Sequence, residues 1–491
     1  MTARSDLGTL EASGLIEIAA LQPELEYLFR HALVQDAAYA SLLKQERRTL
    51  HRAAAETILA LHPGRERELA AVVGMHFEQA GDSERAADNL VIAGEQALEH
   101  FANQEAIAFF RRAGALADVS QVDLRLRAAV GSAKAGWTYS ESATDIDQLD
   151  AVLKDEDRAD RRLVAEAYFW LAFLRRQRGE VPESSPSLKH ALDRAVEIGV
   201  SLNDASSAAL PKALMGSYVA FTGKLRQGAR EMSEALNAIE TTGDAVSMAI
   251  VSDFLALAYA RLGEFAAAEQ TIARGMHFAA NGDPIAQVDV EIAQAALELE
   301  RGDLDKATAQ ARDCAARAED MGAYACVVAS NVMFGAASLA QNDATAAKVP
   351  LERGNELARV TSMAPMRTLL QGLLGSTRAR LGDMPGGVEQ WNEALVAARG
   401  MNDRYGEAQT LWGRGRTYAA QPNSDLAAAL ADLDRAAELF DAMEARPSLA
   451  RALHDRGQVL SSLGRTEEAG EAERRSTELR TELGLRDMPL A

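Results

Sequence analysis

The run Gly216-Ser217-Tyr218-Val219-Ala220-Phe221-Thr222-Gly223-Lys224-Leu225 carries the residue types of a phosphate-binding loop. Such a loop wraps phosphates in backbone amides, reaches the terminal phosphates with a lysine and ligates magnesium through a following hydroxyl. Here six residues separate the glycines where four are needed, and Leu225 stands where the hydroxyl belongs. Gly413-Arg414-Gly415-Arg416 lacks the third glycine of a dinucleotide fingerprint and follows no strand. The eight histidines (31, 51, 62, 76, 100, 190, 277 and 454) include no pair at the i, i+4 spacing of a helical zinc motif, and none accompanies Cys314 or Cys326. There is no Gly-x-Ser-x-Gly nucleophile elbow. The sequence therefore predicts no catalytic residue, no cofactor and no metal ligand, and a chain that is not an enzyme.

The glycines of both decoys belong to a longer frame. Turn residues recur at Gly223, Gly263, Gly302, Asn342, Gly382, Pro422-Asn423 and Gly464, at intervals of 39 to 42 residues. A second series of turns interleaves: Gly243-Asp244, Gly282-Asp283, Gly322-Ala323, Ser362-Met363, Asn402-Asp403 and Glu444-Ala445. A small residue precedes each turn of the first series by seven or eight places: Gly216, Ala256, Ala295, Gly335, Gly375, Gly415 and Gly457. Three features with one period define an internal repeat. About 40 residues hold two helices of roughly 16 residues and two short turns. Each helix pair leaves an apolar face that the next pair covers, and the small residue lets the two backbones approach. Phe254 to Ala279 is the most legible copy.

These positions are similar to tetratricopeptide repeats, with a period longer than the usual 34 residues. The resemblance implies an all-α, right-handed superhelical solenoid of helix pairs. Three segments are expected: a small N-terminal segment over 1–62, irregular helical repeats over 63–202 and regular repeats over 203–491. In the first segment, Leu15-Ile16-Glu17-Ile18 and Leu25 to Phe29 read as a hairpin across Gln22-Pro23-Glu24, followed by helices from His31 and from about Gln45.

The run Phe29-Arg30-His31-Ala32-Leu33-Val34-Gln35-Asp36-Ala37-Ala38-Tyr39 resembles the end of the winged helix in bacterial STAND-type signalling ATPases, including fusions with adenylate cyclase domains. In that family an ATPase core precedes the winged helix and helical repeats follow it. The resemblance implies a partial winged helix and a sensor array separated from its motor, with the family's phosphate loop upstream of this stretch. Leu7, Leu10, Leu15 and Ile18 are then expected to lack a packing partner. The eight residues after Leu483 leave no room for the helix-turn-helix that some relatives carry at that end.

A formal charge of −20 disfavours nucleic acid and anionic membranes as partners. No apolar run reaches the length of a membrane span and no signal-type stretch opens the chain. Two isolated cysteines predict buried free thiols in a cytoplasmic protein. The expected function is a binding or sensor module for a protein, a peptide or a small effector on the concave face of the solenoid. The four tryptophans, Trp137, Trp170, Trp391 and Trp412, read first as core packing, Trp391 most clearly, while Trp412, with Arg414 and Arg416, is the candidate for that groove.

Overall fold

The computed structural model describes residues 3–486 apart from 21–25, 140–142, 203–204, 243–244, 281, 362 and 422–424. The Pro422-Asn423 and Gly243-Asp244 turns and Ser362 lie outside the described residues. The rest is an all-α repeat solenoid carrying one two-stranded antiparallel sheet, Ile16–Ala20 with Glu26–Phe29. The hairpin pairs Ile16 with Phe29 and Ile18 with Tyr27. Only Ile16 of this segment's strands is buried. Leu10, Leu15, Ile18, Leu28, Leu33 and Leu43 are exposed around it, Leu33 at 81%.

Helices then follow one another in antiparallel pairs. Between the hairpin and the regular array, Ser83–Glu99 is one helix that runs through Gly94. Gly94 is tolerated there because a side chain would strike the Phe110 ring, 2.7 Å from the position a Cβ would take.

Seven regular repeats begin at Ala205. Their first helices are Ala205–Phe221, Ala245–Leu262, Pro284–Arg301, Tyr324–Ala340, Ala364–Arg380, Arg404–Ala419 and Arg446–Ser462. Their second helices are Leu225–Ile239, Phe265–Ala279, Leu304–Asp320, Ala344–Val360, Met384–Gly400, Leu426–Ala442 and Thr466–Leu483. The turn between the two helices needs a left-handed residue. Gly223, Gly263, Gly302, Gly382 and Gly464 all take it, with φ between +76° and +96°. Nothing lies within 4 Å of a Cβ placed on Gly382, so backbone conformation alone selects glycine there. Asn342 supplies the same conformation in the fourth repeat at φ 60°, as asparagine tolerates. Asp343 and Asp383 then cap the following helices through Ala346 N and Gly386 N.

The small residues sit where the paired helix crosses. A Cβ on Gly375 would lie 2.5 Å from the Trp391 indole, which is fully buried and donates its Nε1–H to Gly372 O. Gly335 faces Leu351, Gly415 faces Leu433 and Gly216 faces Met232 in the same way. Ala256 and Ala295 have no exposed surface. Gly457 differs, since the nearest atom to its Cβ position is Ala469 O at 3.4 Å, an ordinary contact. The terminal pair is packed more loosely.

The array winds far enough to meet itself. Thr138 O accepts from Ala325 N, and Gly179 abuts Ala364. Arg226 pairs with Glu444, 218 residues on. Gly263 lies against Leu483, and Arg486 bonds Arg301 O and pairs with Asp303.

Gly375→Leu is expected to lower stability by about 1–3 kcal/mol through overpacking against Trp391. Gly457→Ala should be neutral or stabilising by up to about 1 kcal/mol, because the helix loses a flexible residue without a clash. Thermal melts of the two variants check the contrast.

Candidate functional site

The first helices pack on one another along the inner side of the winding, and they enclose a lumen. Its C-terminal chamber, about 110 Å³, is walled by first helices of the second to seventh repeats. The residue directly after each small crossing residue faces it: Leu257, Ala296, Ala336, Ser376 and Arg416. The residue four places further on does so too: Arg261, Glu300, Ala340 and Arg380. That i, i+4 pairing is one face of a helix. The repeat frame thus assigns one face to the crossing and the adjacent stripe to the lumen.

Glu300 anchors the chamber. Its carboxylate accepts from Tyr405 Oη at 2.6 Å and from Arg451 Nη1 at 3.1 Å. Arg451 also donates to the carbonyls of Leu299 and Glu300, closing the helix end. Tyr405 accepts from Gln409 and shares a hydrogen bond with Ser448. Burial, with Glu300 beside it, holds the Tyr405 phenol well above its ordinary pKa. The Arg261 guanidinium lies 3.7 Å over the Tyr405 ring, and its Nε is buried without a hydrogen-bond partner.

Trp412 and Arg416 border this chamber; Arg414 does not. Trp412 Nε1 donates to Asp455 at 2.6 Å, Arg416 Nε lies 3.2 Å from the same carboxylate, and Arg416 stacks on the Trp412 ring. Arg414 is turned onto the neighbouring helix, where Asp432 takes both arms of its fork at 2.7 Å. Of the three groove candidates, Trp412 and Arg416 border this chamber, and Arg414 forms an inter-helix ion pair. Trp170 and Trp391 are buried in the core, and Trp137 borders the lumen further along.

A second chamber of similar size lies toward the N-terminal helices, bordered by Arg176, Asp253, Asp289, Asp403, Phe254 and Trp137 among others. Arg176 is 9% exposed and is surrounded by the rings of Tyr218, Phe221 and Phe254. Burial raises the Asp289 carboxyl, and the nearby Asp283 charge adds to this. Burial and then Asp289 raise Asp253 well above the carboxylate range, against the pull of Arg261 and Arg176. Asp403 is pushed up to about 6 by burial, although its side chain caps Gly406 N at 2.8 Å. A wider space of about 400 Å³ continues from Trp137 and Asp289 toward Glu95, Asn103 and Lys134.

Among the described residues, no group of three His, Cys, Asp or Glu side chains is placed to hold a metal. Cys314 and Cys326 are free and buried, and burial raises both thiols, Cys314 to about 12. The glycines of the phosphate-loop-like run are spent on packing and on the turn. His51 and His76, 25 residues apart, meet through Nδ1 atoms at 2.8 Å, away from the lumen. No described helix is long and apolar enough to cross a membrane.

No family model and no curated protein matches this sequence. Solved structures do align with it. A Rap protein complexed with Competence and Sporulation Factor aligns over 75% of this chain and 99% of its own, at 13% identity and a TM-score of 0.54. The apo quorum sensor NprR from B. thuringiensis aligns over 72% and 98%, at 13% identity and 0.43. A signal-transduction ATPase of the STAND class with a tetratricopeptide repeat sensor, from Pyrococcus horikoshii, aligns over 99% of this chain and 60% of its own, at 12% and 0.35. The Rap structure establishes the tetratricopeptide-like solenoid and nothing finer.

The raised Asp289 pKa has a stability consequence. The folded chain holds a proton where the unfolded chain has lost it, so the contribution is complete below about pH 4 and fades as pH rises through the folded value. Asp289→Asn is expected to melt higher than the wild type at pH 8, by on the order of 1 kcal/mol, with the difference shrinking by pH 5. Melts at the two pH values check the sign.

Proposed function

We propose that this chain is a non-enzymatic binding and sensor module whose lumen takes an extended peptide, a segment of a protein or a small effector. The single observation that carries the reading is the lumen's composition. It is enclosed by the first helices of six successive repeats, apolar along Leu257, Val332, Leu369 and Leu373, yet lined by four guanidinium groups, of which Arg261 and Arg380 form no ion pair with a carboxylate among the described residues. Ligand sites have this mixture of apolar wall and a few converging polar groups. A solenoid that meets itself also offers two states, wound and loosened, whose balance an occupant in the lumen shifts. The Rap protein of the same fold, solved with Competence and Sporulation Factor, supports the reading by analogy. The residues 203–491 form the sensor, 63–202 extend its lumen, and 1–62 are a separate segment of partial winged-helix type. The net negative charge disfavours nucleic acid and anionic membranes as partners.

The lumen reading is tested by filling it. Ala336 is a half-buried wall residue of the C-terminal chamber. Ala336→Trp is expected to abolish the retention of a small molecule or peptide seen by native mass spectrometry on protein purified from its source cell. Equal retention by variant and wild type would place the ligand elsewhere.

A second reading is favoured by the exposed apolar side chains Leu28, Leu33 and Leu43 on the N-terminal segment. In it the chain is the regulatory part of a STAND-type ATPase or adenylate cyclase, and the ATPase core covers this face. The resembling run at Phe29 to Tyr39 supports that origin. Leu33→Asp should then weaken binding of an ATPase core encoded in the same reading frame by about tenfold or more, read by titration calorimetry. An unchanged affinity would remove this reading.

A further inference from the structure

We propose that the C-terminal chamber of the lumen is an anion site, in which the Arg380 guanidinium, flanked by Arg416, binds a carboxylate carried on an apolar body. The inference rests on the lumen being the binding site and specifies what it takes there.

Four arginines and one carboxylate face the chamber. Two of the arginines are balanced. Arg451 is held by Glu300, and Arg416 by Asp455. Arg380 is not. Its Nη1 donates to Leu339 O at 2.9 Å, and among the described residues it forms no ion pair with a carboxylate. Burial and the neighbouring Arg416 charge pull it down to about 10, against the weaker opposing effect of Asp455. Arg261, which also lines the chamber, is stacked on Tyr405 and leaves a buried Nε unpartnered. A guanidinium taken from water without a counter-charge destabilises the empty fold, and a packed apolar residue would remove that cost. The surroundings are apolar: Leu339, Leu369, Leu373, Val332 and the Trp412 ring. A planar fork matches a carboxylate in two parallel hydrogen bonds, which a backbone carbonyl on one arm leaves room for. The apolar wall then takes the ligand's hydrocarbon part. This chemistry is met by the C-terminal residue of a peptide and by a free short-chain acid.

Two variants and three probes separate the possibilities. Calorimetric titration uses acetyl-Leu-Leu as the free acid, the same dipeptide as its C-terminal amide, and hexanoate. The wild type is expected to bind the free acid roughly tenfold to a hundredfold more tightly than the amide. Arg380→Met should bind acid and amide alike, and Arg380→Lys should fall between. Arg380→Met should also melt no lower than the wild type, which separates loss of binding from loss of fold. A free dipeptide acid that outcompetes hexanoate identifies a peptide terminus, and equal affinities identify a small acid; either keeps the anion site. Equal binding of acid and amide by the wild type, undiminished acid binding by Arg380→Met, or no binding of any probe to the wild type would overturn it. In each of those cases retention that is still lost in Ala336→Trp preserves the lumen as the binding site, so the two failures are distinct.

Discussion

The lumen exists because the solenoid winds tightly enough to touch itself, and the tightness is set where paired helices cross. At Gly375 the Trp391 indole occupies the space of a side chain and hydrogen-bonds to the backbone beneath it. The same seating recurs at Gly335 with Leu351 and at Gly415 with Leu433. A larger residue at these crossings would push each pair apart, and the displacement would accumulate over seven repeats. Arg226 would lose Glu444, Arg486 would lose Asp303, and Tyr405 and Arg451 would move off Glu300. Because each repeat contacts mainly its neighbours, small rotations add along the array. The long-range contacts therefore report whether every crossing is correct.

Those long-range contacts differ in kind. Arg226–Glu444 is exposed on both partners, so solvent screens it and it contributes little. The Glu300 cluster is buried, and each polar group in it answers another: carboxylate, phenol, guanidinium and helix-end carbonyls. Removing one member leaves a charge unpaired in the interior, which costs several kcal/mol by order of magnitude, whereas the intact cluster adds modest net stability. Its role is to fix which turn of the superhelix meets which.

Much of this was legible in the chain. The period, the helix pairs and the turn glycines follow from residues that backbone geometry restricts: left-handed turns admit glycine or asparagine, and tight crossings admit glycine or alanine. The lumen was less legible. Trp412 and Arg416 line it, but Arg414, two residues from each, faces the other way because a helix turns about 100° per residue and adjacent side chains diverge. Asp432 on the neighbouring helix then captures it. The residues that matter most, Arg261, Glu300, Arg380, Tyr405 and Arg451, carried no motif. A signal was present all the same. Arg261, Glu300 and Arg380 each lie two places before a turn glycine, where the other repeats place Phe221, Ala340, Ala420 and Ser462. Charge at a position that is elsewhere apolar or small is informative once the frame is known. The N-terminal segment is legible in its hairpin and in the exposure of Leu10, Leu15 and Ile18, whereas the exposure of Leu28 and Leu33 carried no signal in the sequence.

The distribution of charge bears on what reaches the lumen. The chain carries 72 acidic and 52 basic residues, so its surface repels anions at a distance. The C-terminal chamber has the opposite balance, with four guanidinium groups and one carboxylate. Screening confines the exterior repulsion to roughly 8–10 Å at physiological salt, while a counter-charge inside the apolar chamber is screened far less. An anion that enters thus meets its attraction only after losing water, and the loss of hydration is offset only if an apolar body fills the wall beside it. Highly charged ligands such as nucleotides would pay the exterior repulsion several times over and lack that apolar part. A single carboxylate on a hydrocarbon frame satisfies both conditions. Arg380 and the leucines around it therefore act as one selective unit, with the charge setting the head group and the wall setting what it is attached to.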